Sequence, residues 1–281
     1  MGERILDLLT AARARLRAAP HTPPAREANL LLGHVLGWPE ARILAHDDEA
    51  VGAEQAAAFT ALVERRLQGE PVAYLTGERE FFGRSFAVDS RVLIPRPETE
   101  HLIEAAMAQT LPPRAWILDV GTGSGCIAVT LALELTGTRV VATDASLGAL
   151  AVAWHNVRRF GVDDRVLLTR TDWLSGTRTR SIDLVVANPP YITQADAATL
   201  SPEITDFEPH EALFSGTDGL TSYRQLFAAL ASLRSGTPVL CEVGHTQASA
   251  VADLAHERGF VHHRTIDDYA GFSRVVVVIR G

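Results

Sequence analysis

Apolar and polar residues follow two different rhythms along this chain. From about Ala115 to the C-terminus, short continuous apolar runs alternate with segments whose apolar positions have helical spacing. Strands are predicted at 116–120, 139–143, 165–170, 182–187, 238–243, 261–266 and 274–280, and helices at 124–135, 146–160, 221–234 and 246–258. This alternation predicts an α/β fold, in which helices cover both faces of a largely parallel sheet.

The N-terminal region has a purely helical pattern. Its first helix is predicted from an apolar stripe made of Ile5, Leu6, Leu8, Leu9 and Leu16. A second helix is predicted to begin at Pro23-Pro24 with Thr22 as its cap, and a third to span 53–67. Three or four short helices predict a small bundle, which either stabilises the rest of the chain or docks a protein substrate. The pattern alone leaves both possibilities open.

Residues 70–95 differ from both regions. Phe81 to Val88 predicts a hairpin, and a helical pattern resumes from Glu98 to Met107. We therefore expect a helical, substrate-docking domain at 1–69, a hairpin linker at 70–95 and an α/β domain at 96–281.

One long connection, from Ile192 to Leu220, shows little periodicity. Connections of this length are usually functional or disordered. It contains the acidic stretch from Asp206 to Glu211, which fits either a solvated loop or a loop that covers a substrate.

Composition excludes several classes of protein. The net charge of −8 disfavours unaided binding to nucleic acid, which needs clustered cations. Cys126 and Cys241 lie in apolar surroundings, which indicates core residues and no disulfide. The histidines show no metal-ligand spacing, so we expect no metal. No apolar run is long enough to cross a membrane, and no secretory signal is visible, so we expect a cytoplasmic location.

The most specific chemical signal is Asn188-Pro189-Pro190-Tyr191, which directly follows the apolar run Val185–Ala187. The prolines end the predicted strand, so these residues are expected at the sheet edge where α/β proteins bind ligands. The Asn188 side-chain oxygen and the Pro189 carbonyl can each accept one N–H, and the Tyr191 ring can cover a planar group. The set suits the orientation of a planar NH2 group toward an electrophile, although a plain Pro-rich turn is the simpler alternative.

A glycine-rich turn follows the first strand of the α/β region. Gly121, Gly123 and Gly125 lie between a predicted strand and a predicted helix, the usual setting of a nucleotide site. Their spacing differs from the dinucleotide pattern and favours a cofactor without a pyrophosphate. Asp144, about 20 residues further on at the end of the next strand, is placed to bind ribose hydroxyls.

These motifs together resemble a known class of enzyme. Asp119-Val120-Gly121-Thr122-Gly123-Ser124-Gly125, Thr143-Asp144 and Asn-Pro-Pro-Tyr resemble S-adenosylmethionine-dependent methyltransferases that act on amino groups conjugated to a planar system. Further segments resemble the release factor glutamine methyltransferases, namely Tyr74–Gly83, Leu93–Glu100, Asp172-Trp173, Phe207–Pro209 and Asp268–Gly271. The resemblance covers nearly the whole chain from Pro71 onward.

The resemblance implies a Rossmann-like sheet of seven strands, with the last strand antiparallel and inserted, and a role for each motif. It implies that S-adenosylmethionine is bound by Gly121, Thr122, Gly123, Ser124, Gly125, Asp144, Trp173 and Asn188. It implies that substrate is bound by Asn188, Pro189, Pro190 and Tyr191, with Asn188, Pro189 and Tyr191 acting in catalysis. Arg96 to Thr99 either touch the cofactor or only begin a helix. The implied partner is a class 1 peptide chain release factor.

Three alternatives differ in substrate or activity. A nucleic-acid base also presents an NH2 on a planar system, but the acidic net charge and short N-terminal region disfavour it. Glutamine methylation of a ribosomal protein is closer, since a sister family has the same motif. A non-catalytic binding module is disfavoured by the intact glycine turn, Asp144 and Asn-Pro-Pro-Tyr.

Overall fold

The chain folds as two compact units. The computed structural model describes residues 2–17, 23–174 and 179–281. One unit comprises residues 1–78 together with 200–207, and the other comprises 79–199 together with 208–281. The helices are α1 (Ile5–Leu16), α2 (Pro24–Leu36), α3 (Glu40–Ala45), α4 (Ala53–Leu67), α5 (Val72–Thr76), α6 (Glu100–Met107), α7 (Cys126–Glu134), α8 (Leu147–Arg159), α9 (Pro202–Phe207), α10 (Thr221–Ala229) and α11 (Ala248–Glu257). The strands are β1 (Glu3–Arg4), β2 (Ala50–Val51), β3 (Glu78–Phe81), β4 (Arg84–Ala87), β5 (Trp116–Val120), β6 (Arg139–Asp144), β7 (Val166–Arg170), β8 (Leu184–Ala187), β9 (Pro238–Glu242), β10 (Phe260–Asp267) and β11 (Ser273–Arg280).

The first unit, here called the helical unit, contains α1 to α5 and α9, with β1 and β2 paired antiparallel. The predicted helical bundle is therefore confirmed. The buried face of α1 is formed by Ile5, Leu8, Leu9, Ala12 and Leu16. Leu6, which the predicted stripe included, is 40% exposed because it lies on the other face of the helix. Thr22 lies outside the described residues, and α2 begins at Pro24 after Pro23 as its N-cap residue.

A buried arginine joins three helices of this unit. Arg66 on α4 is 3% exposed, and its Nε donates to Glu27 Oε1 on α2 at 2.9 Å. Its second terminal nitrogen donates to Glu203 Oε2 on α9 at 3.1 Å. The helix α9 comes from the predicted long connection, which also has 3-10 turns at Ala195–Thr199 and His210–Ala212. The connection therefore has more helical structure than expected, in pieces too short to show a helical period.

The second unit, here called the sheet unit, is built on a seven-stranded sheet. Its strand order is β10-β11-β9-β8-β5-β6-β7. The strands β5 to β9 are parallel to one another, and β11 is antiparallel to both β9 and β10. The predicted α/β fold and the antiparallel inserted strand implied by the resemblance are both confirmed.

The core of this unit explains why its strands are recognisable in the sequence. All four residues of β8 are fully buried, as expected for a central strand with helices on both faces. Cys126 and Cys241 are buried and free, as the sequence predicted. The predicted hairpin is also present, since β3 and β4 pair across Phe82 and Gly83, whose φ angles of 50° and 71° fit a tight two-residue turn.

The register of the parallel strands sets the position of the site. Val120 pairs with Thr143 on one side and with Ala187 on the other, and Ala187 pairs with Cys241. The next residues, Gly121, Asp144, Asn188 and Glu242, therefore come together at the carboxyl edge of the sheet. In the part of the chain that the structure describes, no helix is long and apolar enough to cross a membrane.

Candidate active site

A cavity of about 390 Å³ lies at this carboxyl edge of the sheet unit. Its wall includes Gly121, Gly123, Asp144, Trp173, Asn188 and Pro189. The volume is within the range of about 300–1,000 Å³ that is usual for small-molecule sites. Three motifs singled out in the sequence thus share one cavity.

The glycine turn contributes two of its five predicted residues to the cavity wall. Gly121 and Gly123 line it with φ angles of 77° and 54°, and a Cβ added to either would meet no protein atom within 4 Å. Their hydrogens leave room for a ligand close to the backbone.

The other three residues of the turn face the protein. Thr122 donates its hydroxyl to Asp119 Oδ2 at 2.6 Å, and Ser124 is 2% exposed. Gly125 is the N-cap residue of α7, and a Cβ there would lie 3.2 Å from Ala153. These three residues, which were also predicted to bind the cofactor, are not part of the cavity wall, because neighbouring residues in a tight turn point in different directions.

Asp144 is held rigidly at the cavity wall. Its Oδ2 accepts a hydrogen bond from the Gly123 backbone N–H and its Oδ1 from the Ser146 N–H, both at 2.9 Å. Two bonds leave lone pairs on both oxygens, since a carboxylate has about four acceptor sites. Asp144 is therefore oriented and still able to accept from a ligand.

The segment after β7 forms another part of the wall. Thr171, Asp172, Trp173 and Leu174 all line the cavity. Trp173 and Leu174 have φ angles of 43° and 64°, a region that non-glycine residues enter at a cost of about 1–2 kcal/mol each. This local strain directs an aromatic side chain to the cavity, as expected where backbone strain serves a binding site.

The Asn-Pro-Pro-Tyr motif is divided between two environments. Asn188, Pro189 and Pro190 line the cavity, and Asn188 Nδ2 donates to Thr99 Oγ1 at 3.1 Å. Tyr191 is not among the residues of the wall, and its carbonyl accepts a hydrogen bond from Gln247 Nε2 at 3.0 Å. Burial raises the pKa of the Tyr191 hydroxyl to about 12, so it stays neutral at ordinary pH.

Some residues near the site were not predicted, and others were expected elsewhere. Arg91, Val92 and Leu93 line the cavity, whereas Arg96 to Thr99 are not part of its wall. Arg96 instead pairs with the buried Glu208 at 2.5 Å, and Thr99 is buried beside Asn188. Glu242 was not predicted as a site residue, although the sequence offered a signal for it. It is an acidic residue at the end of the apolar strand β9, which lies next to β8, and Asn188 directly follows β8.

Two buried acids lie close behind the cavity wall. Burial raises the pKa of Asp119 to about 7, against the opposing hydrogen bond from Thr122. Burial also raises the pKa of Glu242 to about 7, against hydrogen bonding with Thr99 and Asn188. Among the described residues, no group of three or more His, Cys, Asp or Glu side chains is arranged to hold a metal ion.

Comparison with solved structures agrees with the class of fold that the sheet and the cavity define. The chain resembles a methyltransferase from Pyrococcus furiosus with a TM-score of 0.52 and 16% identity, over 77% of this chain and 95% of that one. It resembles the hMettl16 catalytic domain, solved with an RNA hairpin, with a TM-score of 0.54 and 17% identity over 81% of each chain. At these identities the likeness shows the fold alone, which is that of methyltransferases.

Sequence comparison identifies the family. Residues 99–205 match the methyltransferase small domain, and residues 7–77 match the PrmC N-terminal domain. The chain is 43% identical to a release factor glutamine methyltransferase of Cereibacter sphaeroides over 97% of both chains. It is 45% identical to one of Nitratidesulfovibrio vulgaris over 88% of this chain and 84% of that one. The chain therefore belongs to the release factor glutamine methyltransferase family, as its motifs indicated.

Proposed function

We propose that this enzyme methylates the side-chain amide nitrogen of the glutamine in the glycine-glycine-glutamine loop of class 1 peptide chain release factors, with S-adenosylmethionine as methyl donor. One observation carries the proposal beyond family membership. Asn188 and Pro189 share a cavity with Gly121, Gly123 and Asp144. Residues suited to bind the NH2 group of a substrate therefore lie next to residues suited to bind a nucleoside.

The cavity fits the proposed cofactor. Its amino-acid end would pass close to Gly121 and Gly123, where the missing side chains leave open space. Its ribose hydroxyls would donate to Asp144, and its adenine would lie beside Asp172 and Trp173, all in the cavity wall. When bound, S-adenosylmethionine supplies a methyl group on a positively charged sulfur.

The main work of the protein is to align a poor nucleophile. The lone pair of an amide nitrogen is delocalised into its carbonyl, so orientation is what the site can add. Asn188 Oδ1 and the Pro189 carbonyl would accept the two N–H groups of the substrate. These acceptors also stabilise positive charge that develops on nitrogen in the transition state. No general base is needed, because an N-alkylated amide cation loses its proton readily to water.

The helical unit is proposed to dock the release factor. A single glutamine side chain cannot offset the entropy lost when two proteins associate, so contacts away from the cavity are required. Leu30 and Leu44 of the helical unit are 39% and 57% exposed, which makes apolar surface available for such contacts. A substrate that works in translation also leads us to propose a cytoplasmic location.

The substrate is tested by competition among acceptors. The enzyme is incubated with S-adenosylmethionine labelled on its methyl group, purified release factor, ribosomal proteins, total tRNA and rRNA. We expect the label on the release factor. Label on RNA or on a ribosomal protein, with the release factor unlabelled, would contradict the proposal.

The docking role is tested with surface substitutions in the full-length chain. Deletion of the N-terminal helices would remove Glu27 and Arg66, which hold α9, so it would disturb more than docking. We expect Leu30→Glu with Leu44→Glu to raise KM for intact release factor and to leave KM for a short glutamine peptide unchanged. Leu167→Glu, at a residue of the sheet unit that is 47% exposed, is the control. Equal KM values for intact release factor in all three proteins would rule out docking through these residues.

A further inference from the structure

Behind Asn188 lies a buried carboxyl group for which the proposed chemistry has no use. Glu242 ends β9, the strand next to β8, and it is 2% exposed. Its Oε2 has no hydrogen-bond partner in the part of the chain that the structure describes. It is in hydrogen-bonding reach of the Thr99 hydroxyl and the Asn188 side chain. A buried carboxyl group is costly, so its place beside the amide of Asn188 calls for a reason.

The hydrogen bonds around Thr99 give that reason. Asn188 Nδ2 donates to Thr99 Oγ1 at 3.1 Å. A hydroxyl has a single hydrogen, and after accepting from Asn188 it can donate that hydrogen to Glu242. An ionised carboxylate can only accept hydrogen bonds, so the Thr99 hydroxyl must donate its hydrogen to Glu242. Thr99 can then only accept from Asn188, which requires the nitrogen of the Asn188 amide to face it.

The direction of these bonds fixes which end of the Asn188 amide meets a substrate. The nitrogen and oxygen of a planar amide diverge, so turning the nitrogen to Thr99 turns the oxygen away from it. The reverse orientation would present N–H groups to the NH2 of the substrate, which is a donor facing a donor.

We propose that Glu242 is a positioning residue that acts through Thr99 to hold the Asn188 side-chain oxygen ready to accept from the substrate amide. This inference rests on the proposed function, in which Asn188 binds the amide of a glutamine. Glu242 is not part of the cavity wall, so its effect reaches the substrate only through Thr99 and Asn188.

Protonation would reverse the chain of bonds. A protonated Glu242 can donate to Thr99, which is then free to donate to the oxygen of Asn188 and turn the amide around. We therefore expect kcat to fall as Glu242 takes up a proton, and the pKa of this group is about 7. The charged or titratable groups that face it are Glu98, Arg274, Tyr191, Tyr223 and Cys126.

Four of these neighbours do not change their protonation state near neutral pH. Burial raises the pKa of Tyr191 and of Cys126 to about 12 and that of Tyr223 well above its usual value. Arg274 stays charged because the ion pair with Asp268 raises its pKa despite partial burial. Glu98 is the remaining carboxyl group, so Glu98→Gln is the matched control for a nearby acid.

Kinetics with the release factor provide the first test. Over about pH 6 to 8, the kcat of wild type should fall as the pH is lowered. The kcat of Glu242→Gln should not fall in this way and should be about 10- to 100-fold lower than that of wild type at the alkaline end. KM and cofactor affinity should change much less. In Glu98→Gln, kcat should still fall as the pH is lowered. The midpoint should move slightly to lower pH, because the charge of Glu98 raises the pKa of Glu242. If the kcat of Glu242→Gln fell at low pH as that of wild type does, the proposal would be overturned.

Two substitutions at Thr99 test the relay without altering the acid. Thr99→Val removes the hydroxyl and keeps the shape, so kcat should fall as in Glu242→Gln, and the double variant should be no slower than either single one. Thr99→Ser keeps the hydroxyl and should recover most of the turnover. Equal rates in the Val and Ser variants would overturn the proposal, even if Glu242→Gln failed to fold.

A spectroscopic measurement separates this inference from the proposed function. In the ligand-free enzyme, the ¹⁵N signal of the Asn188 side-chain NH2 should follow the titration of Glu242 and stop following it in Glu242→Gln. This result, together with an unmethylated release factor, would refute the proposed substrate and keep the positioning role. If the Asn188 signal does not change as Glu242 titrates, in an enzyme that methylates release factor, the positioning role would be refuted and the proposed substrate would stand.

Discussion

Three acidic residues lie at or near the carboxyl ends of the parallel strands β5, β6 and β9, and their environments differ. Asp144 lies in the cavity wall and accepts two backbone N–H bonds. Asp119 is fully buried under the glycine turn, and Glu242 is buried behind Asn188. Burial raises the pKa of both Asp119 and Glu242 to about 7. Only Asp144 is thus placed to meet a ligand directly.

Asp144→Ala tests the proposed ribose contact. Loss of hydrogen bonds to a charged group should weaken cofactor binding by on the order of 1.5–3 kcal/mol. Calorimetry with S-adenosylmethionine measures the change, and a thermal melt checks that the variant is folded. Unchanged affinity in a folded variant would mean that Asp144 does not hold the ribose.

Asn188→Ala should separate binding from chemistry. Its side chain is proposed to act on the amide nitrogen, so turnover should fall by about 100-fold or more, while cofactor affinity changes little. Single-turnover rates and calorimetry on the same preparation give both numbers. Wild-type turnover in this variant would show that another group orients the nucleophile.

Asp119 makes the stability of the protein depend on pH. Its pKa is raised to about 7 in the folded state, so the folded protein binds this proton more tightly than the unfolded chain does. Its contribution to stability is present at low pH and is lost as the pH rises from about 4 to about 7. The Tm of Asp119→Asn should therefore decrease less over that pH range than the Tm of wild type does.

The control for this measurement is Asp164→Asn, since the Asp164 side chain is 78% exposed. For a chain of this size, about 2–4 °C corresponds to each kcal/mol. A Tm that falls equally with pH in wild type and Asp119→Asn would show that Asp119 does not keep a raised pKa.

Which of the predicted site residues line the cavity depends on the direction of the backbone at each of them. Asn188, Pro189, Gly121, Gly123, Asp144 and Trp173 were predicted as a site and all line one cavity. Thr122, Ser124, Gly125 and Tyr191 were predicted with them and do not line it. A motif shows which residues are close in the chain, whereas the direction of each side chain depends on φ and ψ angles that the motif does not contain.

At the scale of elements, the strands were predictable because their apolar runs are buried on both faces. The predicted strand 116–120 has the bounds observed for β5, and the helix 53–67 has those of α4. The helices α3, α5 and α9 have five or six residues and were missed. They are shorter than two turns, so no period can appear in their sequence.

The glycine turn offers a prediction in which two neighbouring glycines act differently. Gly121→Ala and Gly125→Ala should both cost about 1–2 kcal/mol for the left-handed backbone. The new Cβ at 121 would enter the cavity, so this variant should bind cofactor more weakly. The Cβ at 125 would crowd Ala153 at 3.2 Å, so this variant should have the lower Tm. Calorimetry and thermal melts that give the opposite assignment would contradict the described turn.

At the scale of the molecule, one unit is built from two separate parts of the chain, residues 1–78 and 200–207, which the sequence did not predict. The sequence predicted that 192–220 would be a single connection, yet its residues 200–207 belong to the helical unit. Arg66 holds them there through Glu203, together with Glu27. Ion pairs between residues far apart in the chain leave no periodic signal, so this arrangement could not be predicted.

One glutamine of a release factor is proposed to receive the methyl group. The most direct measurement is fragment mass spectrometry of intact release factor after reaction with the full-length enzyme and S-adenosylmethionine. We predict one added methyl group on the side-chain amide of the glutamine in the glycine-glycine-glutamine loop, and much slower addition with Asn188→Ala. A methyl group on any other residue, or a release factor that stays unmodified while the enzyme methylates RNA or a ribosomal protein, would show that this glutamine is not the substrate.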